Sequence, residues 1–565
     1  MMTLSRHRDG ALPFRCDVVE ALVTVMIGSV PADPVPDERP VEGRPGTGDR
    51  RGRHLAWRGV WSACVVVPLV VLTPLMTQPP WSDHRLNVYG FGSAYLDRPW
   101  RLPVDVLTAV PYFLGVGNFR PLGRIVEWSL DVLVFALVDL GVPANIGLRL
   151  VGLAAAVLLT MTAALLADSV TTRGRLFAGP PSAPVVLLPF AVGAGFVAAG
   201  RMSSTIQFTG LYLFSSALVL AVAAWACRAV RAEALGVRRG VLAVLAGAGI
   251  AAFNEMACLA IPLATAAVAM RGRLVFGIPW RAAVRDPGTR FVALLWAGFL
   301  PVILPVRAIV QANCADGACY EGSDVALPGA AATVPNRLIS WLPPLMWRWA
   351  ADGSDGWLTG ALPVVALMVL LVPAWWLLRA VPRLGLLDRR QALALAGVAA
   401  VALCLSAAVG SLNVWMQRYA VQGDHGLGWR DSALATVGGS TLVLALVAAL
   451  PGARRWAGAA LATLAAVAAI STTANNAYRG SSSAERFPYL HNRIAAELAS
   501  FDPTADGDAR RCTLRAQFLS TTAAANEHRI DQILDAAAHR VAGRRFCSTA
   551  PVRTFSVPLY RPAPD

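Results

Sequence analysis

Apolar residues come in long runs along this chain, and short polar runs rich in arginine separate them. Twelve such stretches lie between Trp57 and Ala474: 58–77, 124–141, 147–168, 185–200, 207–227, a pair within 240–270, 291–307, 358–378, 391–412, 433–451 and 456–473. About 20 apolar residues cross the hydrocarbon core of a bilayer, and shorter runs suffice inside a multi-helix bundle. The pattern predicts an all-α polytopic membrane protein of about 11–13 transmembrane helices.

The arginines set the expected topology, because short cytoplasmic loops retain basic residues. Arg173 and Arg175, Arg228 and Arg231, Arg238 and Arg239, the group from Arg271 to Arg290, the group from Arg379 to Arg390, and Arg454 with Arg455 all mark inside loops. Cysteines mark the other side. Cys314 with Cys319, and Cys512 with Cys547, form two candidate disulfide pairs in polar segments, and disulfides persist in oxidising compartments. Residues 78–123, 308–357 and 413–432 are therefore expected as outer loops. Residues 474–565 are expected as a small disulfide-linked extracytoplasmic domain, and 1–56 as a disordered cytoplasmic tail. The segment 240–270 has basic flanks at both ends, which predicts a helical hairpin with Asn254 and Glu255 at its tip.

One count does not close. The basic tail and Arg173 should share a side, yet 58–77, 124–141 and 147–168 make three crossings. Either the tail is outside, or one crossing is missed or miscounted, as with re-entry over Val104 to Gly117 or a tight hairpin within 144–170; the basic cluster abutting the first stretch favours a tail inside.

Composition sharpens this picture. Hydrophobic residues are 56% of the chain, charged ones 15%, and the mean hydropathy is +0.52. The net charge of +15 falls mostly in short loops between apolar stretches, which argues against nucleic acid as a partner. The chain has no lysine, so Schiff-base catalysis and a lysine-ended phosphate loop are excluded. The scattered histidines show no zinc-ligand spacing, and no Cys-x-x-Cys is present. The Arg-, Ala-, Gly- and Pro-rich composition suits a GC-rich bacterium, and so a bacterial plasma membrane.

Polar groups at membrane depth are costly and need a reason. Glu127 and Asp131 share a helix face with Arg124, and Arg149 follows in the next stretch, as expected of a charge pair locking two helices or of a cavity wall. In the first outer loop Asp83 is the candidate general base, with Asp97 its rival. Arg120 there can hold an anion bidentately, and His84 is a substrate-contact candidate. Arg201, Tyr212, Asn254, Glu255 and Arg418 complete the candidate substrate-binding set on the same side. Residues 335–349, with Trp341, Trp347 and Trp349, read as an amphipathic helix on the outer surface.

The layout over residues 57–565 resembles the GT-C class of polytopic glycosyltransferases. The resemblance is carried by Asp83 after the first helix, Phe119-Arg-Pro-Leu122, Thr209-Gly-Leu-Tyr212 and the Asn254-Glu255 hairpin. The class commonly has a paired acid in the first outer loop, where this chain has Asp83-His84. The resemblance implies transfer of a sugar from a polyprenyl-phosphate carrier to a cell-envelope glycan or glycolipid, with inversion. Asp83 would take the acceptor proton, and Arg201 with Arg120 or Arg418 would hold the departing phosphate. No nucleotide cofactor is implied, although some relatives use a divalent metal. Two other classes fit the layout: a transporter or flippase for a lipid-linked glycan, and a non-catalytic envelope-assembly protein.

Overall fold

In a computed structural model the structure describes residues 47–79, 84–232, 234–314, 319, 326–450, 452–482, 489–521 and 527–551. Asp83 and most of the expected tail lie outside these residues. The helices in chain order are α1 (Thr47–Leu72), α2 (His84–Tyr95), α3 (Arg101–Thr108), α4 (Val110–Gly115), α5 (Pro121–Asp139), α6 (Ala144–Thr171) and α7 (Ala183–Gly193). Then follow α8 (Leu211–Cys227), α9 (Val237–Ala251), α10 (Ala260–Met270), α11 (Trp280–Ala283), α12 (Pro287–Asn313), α13 (Ala330–Ile339) and α14 (Pro343–Ala350). The last are α15 (Leu362–Ala380), α16 (Arg389–Ser411), α17 (Val414–Val421), α18 (Ser432–Ala448), α19 (Ala453–Ser482), α20 (Leu490–Ala499), α21 (Ala505–Ser520) and α22 (Glu527–Ala542). Among the described residues, seven segments, built on α1, α6, α10, α12, α15, α16 and α19, are long and apolar enough to cross a membrane. The shorter helices α7, α8 and α18 are apolar too.

Side-chain contacts sort the helix termini into two ends. At the first end, Asn145 Nδ2 opening α6 donates to the Thr77 carbonyl after α1 (3.1 Å), and Ser482 Oγ closing α19 donates to Gln78 Oε1 (3.0 Å). Asn313 Nδ2, closing α12, donates there to the Leu114 carbonyl (3.2 Å). At the second end, Arg53 Nη1 donates to the Ala178 carbonyl (2.7 Å) and Arg173 meets Asp388 (3.3 Å). There Gln391 Nε2 opening α16 donates to the Thr171 carbonyl (2.9 Å), and Arg271 donates to the carbonyls of Thr172 and Cys227 (both 2.8 Å).

This sorting resolves the count that failed. Both termini of α5 lie at the first end: Leu122 N donates to the Ala252 carbonyl (2.9 Å), and Asp139 meets Arg540 (3.4 Å) close to where α6 begins. With Arg124, Glu127, Asp131 and Asp139 within 19 residues, α5 is not among the helices apolar enough to cross. The hairpin within 144–170 is not found, because α6 is one unbroken helix. The Val104–Gly117 segment forms two short helices, α3 and α4. So α1 and α6 traverse the bundle once each, and Arg53 and Arg173 share an end.

Two other expectations change. The helix α19 continues through residue 474 to Ser482, so Asn475 belongs to the bundle and not to an outer domain. Its buried amide satisfies irregular backbone just after α7: Oδ1 accepts from Ala198 N (2.8 Å), and Nδ2 donates to the carbonyls of Val71 and Phe196 (2.8 and 2.9 Å). Buried backbone groups without partners are expensive, and one asparagine removes three such costs. Second, the Trp-rich stretch 335–349 is two helices docked into the bundle, not one lying on its surface. Trp347 Nε1 donates to Ser471 Oγ (2.9 Å), and Arg337 is buried against Asp431.

The C-terminal helices α20–α22 share a hydrophobic core with α2, α3 and α5. Leu490, Ile494, Phe518, Ile533 and Leu534 pack with Tyr89, Phe91, Trp128 and Phe135. Polar contacts bind the same surfaces: Tyr89 Oη donates to the His491 carbonyl (2.8 Å), Arg529 Nη2 to Asn87 Oδ1 (2.9 Å) and Arg540 to Asp97 (2.9 and 3.0 Å). Both expected disulfides are formed, Cys314–Cys319 and Cys512–Cys547.

Candidate functional site

The site begins with the break between α9 and α10. Asn254 makes the break rather than merely occupying it. Its Oδ1 accepts from Ala257 N (2.8 Å), capping the next helical turn, and its Nδ2 donates to Ser215 Oγ on α8 (2.7 Å). The start of α5 docks on the same break through the Leu122–Ala252 hydrogen bond. Gly123 permits that approach, since a Cβ there would collide with the Phe253 carbonyl oxygen.

Glu255, next to the buried Asn254, is 33% exposed at the side chain. Its Oε1 accepts from Arg430 Nη1 at 2.7 Å, and Arg430 reaches in from the residue before Asp431, the N-cap of α18. Across from it, Arg120 at the N-cap of α5 pairs with Glu127, about two turns into that helix (3.5 Å). Phe208 lies near both guanidiniums, with Arg120 Cζ 6.0 Å and Arg430 Cζ 5.8 Å from its ring centre. Arg430 also sits over the rings of Tyr212 (5.4 Å) and Trp429 (4.7 Å). Phe208 holds a left-handed backbone (φ 55°), a conformation disfavoured for a residue with a side chain. Strain of this kind persists only where surrounding contacts enforce it, and it gathers at functional sites.

The buried Tyr212 hydroxyl lies within electrostatic reach of Arg120, Glu127, Glu255 and Arg430. It has no hydrogen-bond partner among the described residues, and neither has Arg120 Nε. Buried polar atoms are nearly always satisfied, so these two are placed to meet water or the polar group of a ligand. Arg124 flanks the cluster, lying over the Phe113 ring (3.1 Å) and donating to the Asn118 carbonyl (3.3 Å).

Of the sequence-derived candidates, Arg120, Tyr212, Asn254 and Glu255 converge here. Asp83 lies outside the described residues, and His84 opens α2. Asp97 is engaged on both oxygens by Arg540, which holds its carboxyl below the usual range and ties it to the C-terminal helices. Arg201 is exposed in the turn after Gly200. Arg418 stands over the Trp415 ring (5.2 Å) on α17. Arg149 does not pair with the α5 carboxylates in a helix lock. All three of its nitrogens donate to backbone, the carbonyls of Gln78 (3.3 Å), Ile206 (3.1 Å) and Pro79 (2.9 Å). It thereby fixes the chain leaving α1 beside the segment that carries Phe208.

The residues missed as site members are Arg430 and Phe208, while Glu127, expected in a helix lock or a cavity wall, pairs with Arg120 at the cluster. No protein-family model, curated protein or solved structure matches this chain.

Proposed function

We propose that this protein is a membrane glycosyltransferase that moves a sugar from a polyprenyl-phosphate carrier to a cell-envelope glycan or glycolipid. The observation that carries the reading is the cluster at the helix break: two guanidiniums, Arg120 and Arg430, flank an aromatic floor beside the part-exposed Glu255. Guanidiniums bind phosphate oxygens bidentately and stabilise charge as it develops on a leaving phosphate. In the reaction the acceptor oxygen attacks the anomeric carbon, the bond from that carbon to the phosphate oxygen breaks, and polyprenyl phosphate leaves with the electron pair. The acceptor proton passes to a carboxylate. Asp83 is that group by the family resemblance, and Glu255 is the carboxylate standing beside the guanidiniums.

The proposed setting is a bacterial plasma membrane, with the site and the disulfides outside. The seven long helices, the shorter α7, α8 and α18, and α9 then give eleven crossings, with the basic tail inside and the C-terminal helices outside. The arginine-rich second end supports this orientation. A divalent metal remains compatible with the chemistry, as do membrane lipids as neighbours.

The test uses the full-length protein in lipid nanodiscs with a panel of polyprenyl-phosphate sugars, measuring release of polyprenyl phosphate in the presence of envelope glycolipid. Release that disappears in Arg120→Gln and Arg430→Gln is expected. A transporter is the second reading, favoured by the interrupted helix pair α9–α10 and the irregular backbone after α7. It gains if the protein moves the lipid-linked sugar between leaflets without cleaving it. Neither release nor movement with any donor would leave a non-catalytic assembly role.

A further inference from the structure

Both guanidiniums at the site are already held by carboxylates, and the two pairs differ. Glu127 is buried on α5 and fixed by its helix, whereas Glu255 projects from a break and is one-third exposed. Only the Glu255 pair can open without stranding a carboxylate in an apolar interior, because water can receive the released group. The Arg430 guanidinium lies over the rings of Phe208, Tyr212 and Trp429, which favour its charge independently of the carboxylate it meets. Beside it, the Tyr212 hydroxyl and Arg120 Nε are buried and unpartnered among the described residues, placed to serve an incoming oxyanion.

We infer that Glu255 is a displaceable stand-in for the ligand's phosphate: the donor's phosphate takes Arg430 from Glu255 and so releases the Glu255 carboxylate towards the acceptor side. This rests on the reading of the site as one for a phosphate-linked lipid. No covalent step is involved in the exchange. One ion pair is lost, one is formed, and the Tyr212 hydroxyl and Arg120 Nε gain acceptors. The consequence is ordered binding, since the free carboxylate exists only once the phosphate is seated. In the empty site Glu255 stays paired with Arg430.

The exchange makes Glu255 a competitor, so removing its charge should strengthen phosphate binding even though a carboxylate has left the site. The experiment measures binding of undecaprenyl phosphate, and of the uncharged alcohol undecaprenol, to the full-length protein in nanodiscs. Wild type should prefer the phosphate. Glu255→Gln should bind the phosphate about tenfold tighter, equivalent to about 1.4 kcal/mol, with the alcohol unchanged. Glu255→Asp, which lengthens the pair without removing its charge, should fall between the two, and this second variant keeps the test open if the glutamine variant fails to fold. Arg430→Gln should erase the preference for phosphate. If wild type prefers the phosphate and neither Glu255 variant binds it more tightly, the exchange is wrong while the site reading stands. If wild type shows no preference, the site is not one for a phosphate-linked lipid, and both fall.

Discussion

Arg430 and Asp431 are neighbours in the chain, and each belongs to an ion pair, but the two pairs have different characters. Asp431 accepts from Arg337 on both oxygens (2.5 and 3.2 Å), and the side chains are 0% and 2% exposed. The remaining Arg337 nitrogen donates to the Leu427 carbonyl (2.8 Å), so every nitrogen of the guanidinium is used. Around the pair Gly410 leaves no room, since a Cβ there would touch the Asp431 carboxylate and lie 2.9 Å from Arg337 Nε. One residue earlier, Arg430 Nη1 meets Glu255 Oε1 at 2.7 Å, with 33% of the Glu255 side chain exposed and the Tyr212 hydroxyl and Arg120 Nε unpartnered nearby among the described residues. A saturated, sealed pair fixes α13 to α18. A part-exposed pair beside unpartnered polar atoms is equipped to change partners.

The sharpest way to break this comparison is to neutralise one acid of each pair. Removing one partner of a buried pair strands the other charge and costs about 3–5 kcal/mol, an exposed pair contributes about 0–1 kcal/mol, and the Arg430–Glu255 pair, 12% and 33% exposed, falls between them. Asp431→Asn should therefore lower the thermal midpoint severely or abolish recovery of folded protein from detergent. Glu255→Gln should unfold within a few degrees of wild type while altering ligand binding. Equal midpoints for the two variants would mean that the open pair is structural after all.

A smaller effect is expected at Asn475, which supports the sealed side of the molecule. Asn475→Ala removes three hydrogen bonds to buried backbone, and each orphaned group costs about 1–3 kcal/mol before relaxation or water entry. The variant should be less stable than Glu255→Gln and more stable than Asp431→Asn. Hydrogen exchange should report the loss locally, at residues 196–199.

Sequence pattern reached the two pairs unequally, for physical reasons. Arg120, Tyr212, Asn254 and Glu255 were legible because a polar group at an apolar helix junction stands out against its neighbours. Arg430 looked like Arg418, since both are arginines in one polar loop, and only tertiary closure brings one of them against α8 and α9. Asn475 was read as the start of an outer domain because it ends an apolar run. Capping of distant irregular backbone leaves no local signature. The helix α5 was counted as a crossing on apolar content, although its charges serve the first end, where Glu127 meets Arg120 and Asp139 meets Arg540. The hairpin tip and both disulfides were legible because a break in hydropathy, basic flanks and paired cysteines are local features.

Gly123→Ala asks whether the open pair depends on how α5 seats on the break. The added methyl would collide with the Phe253 carbonyl oxygen, so α5 and the break must part until that contact passes 3.0 Å. Overpacking of this kind costs about 1–3 kcal/mol. Here it should also separate Arg120 from Glu255 and weaken undecaprenyl phosphate binding at least as clearly as it lowers stability. Loss of stability with intact binding would show that the spacing of the two guanidiniums is not what the glycine protects.

The smallest effect is expected where the C-terminal helices meet the first loop. Arg540 holds the Asp97 carboxyl below its ordinary value, and Ser548 does the same for Asp508 within the C-terminal helices. A carboxylate whose folded pKa is depressed contributes stability that is fully present above its unfolded value, near pH 4, and is lost as the pH falls through the lower folded value. Acidification below about pH 4 should therefore loosen α22 from α2, seen as faster amide exchange along α22. Asp97 is largely exposed, with 65% of its side chain accessible, so solvent screens the pair and Asp97→Asn should cost under about 1 kcal/mol. That variant should flatten the acid response of α22 and leave the Arg430–Glu255 pair untouched. If Asp97→Asn instead abolishes sugar transfer while α22 stays protected, Asp97 has a part in the chemistry, and the division between structural and exchangeable ion pairs must be redrawn to include it.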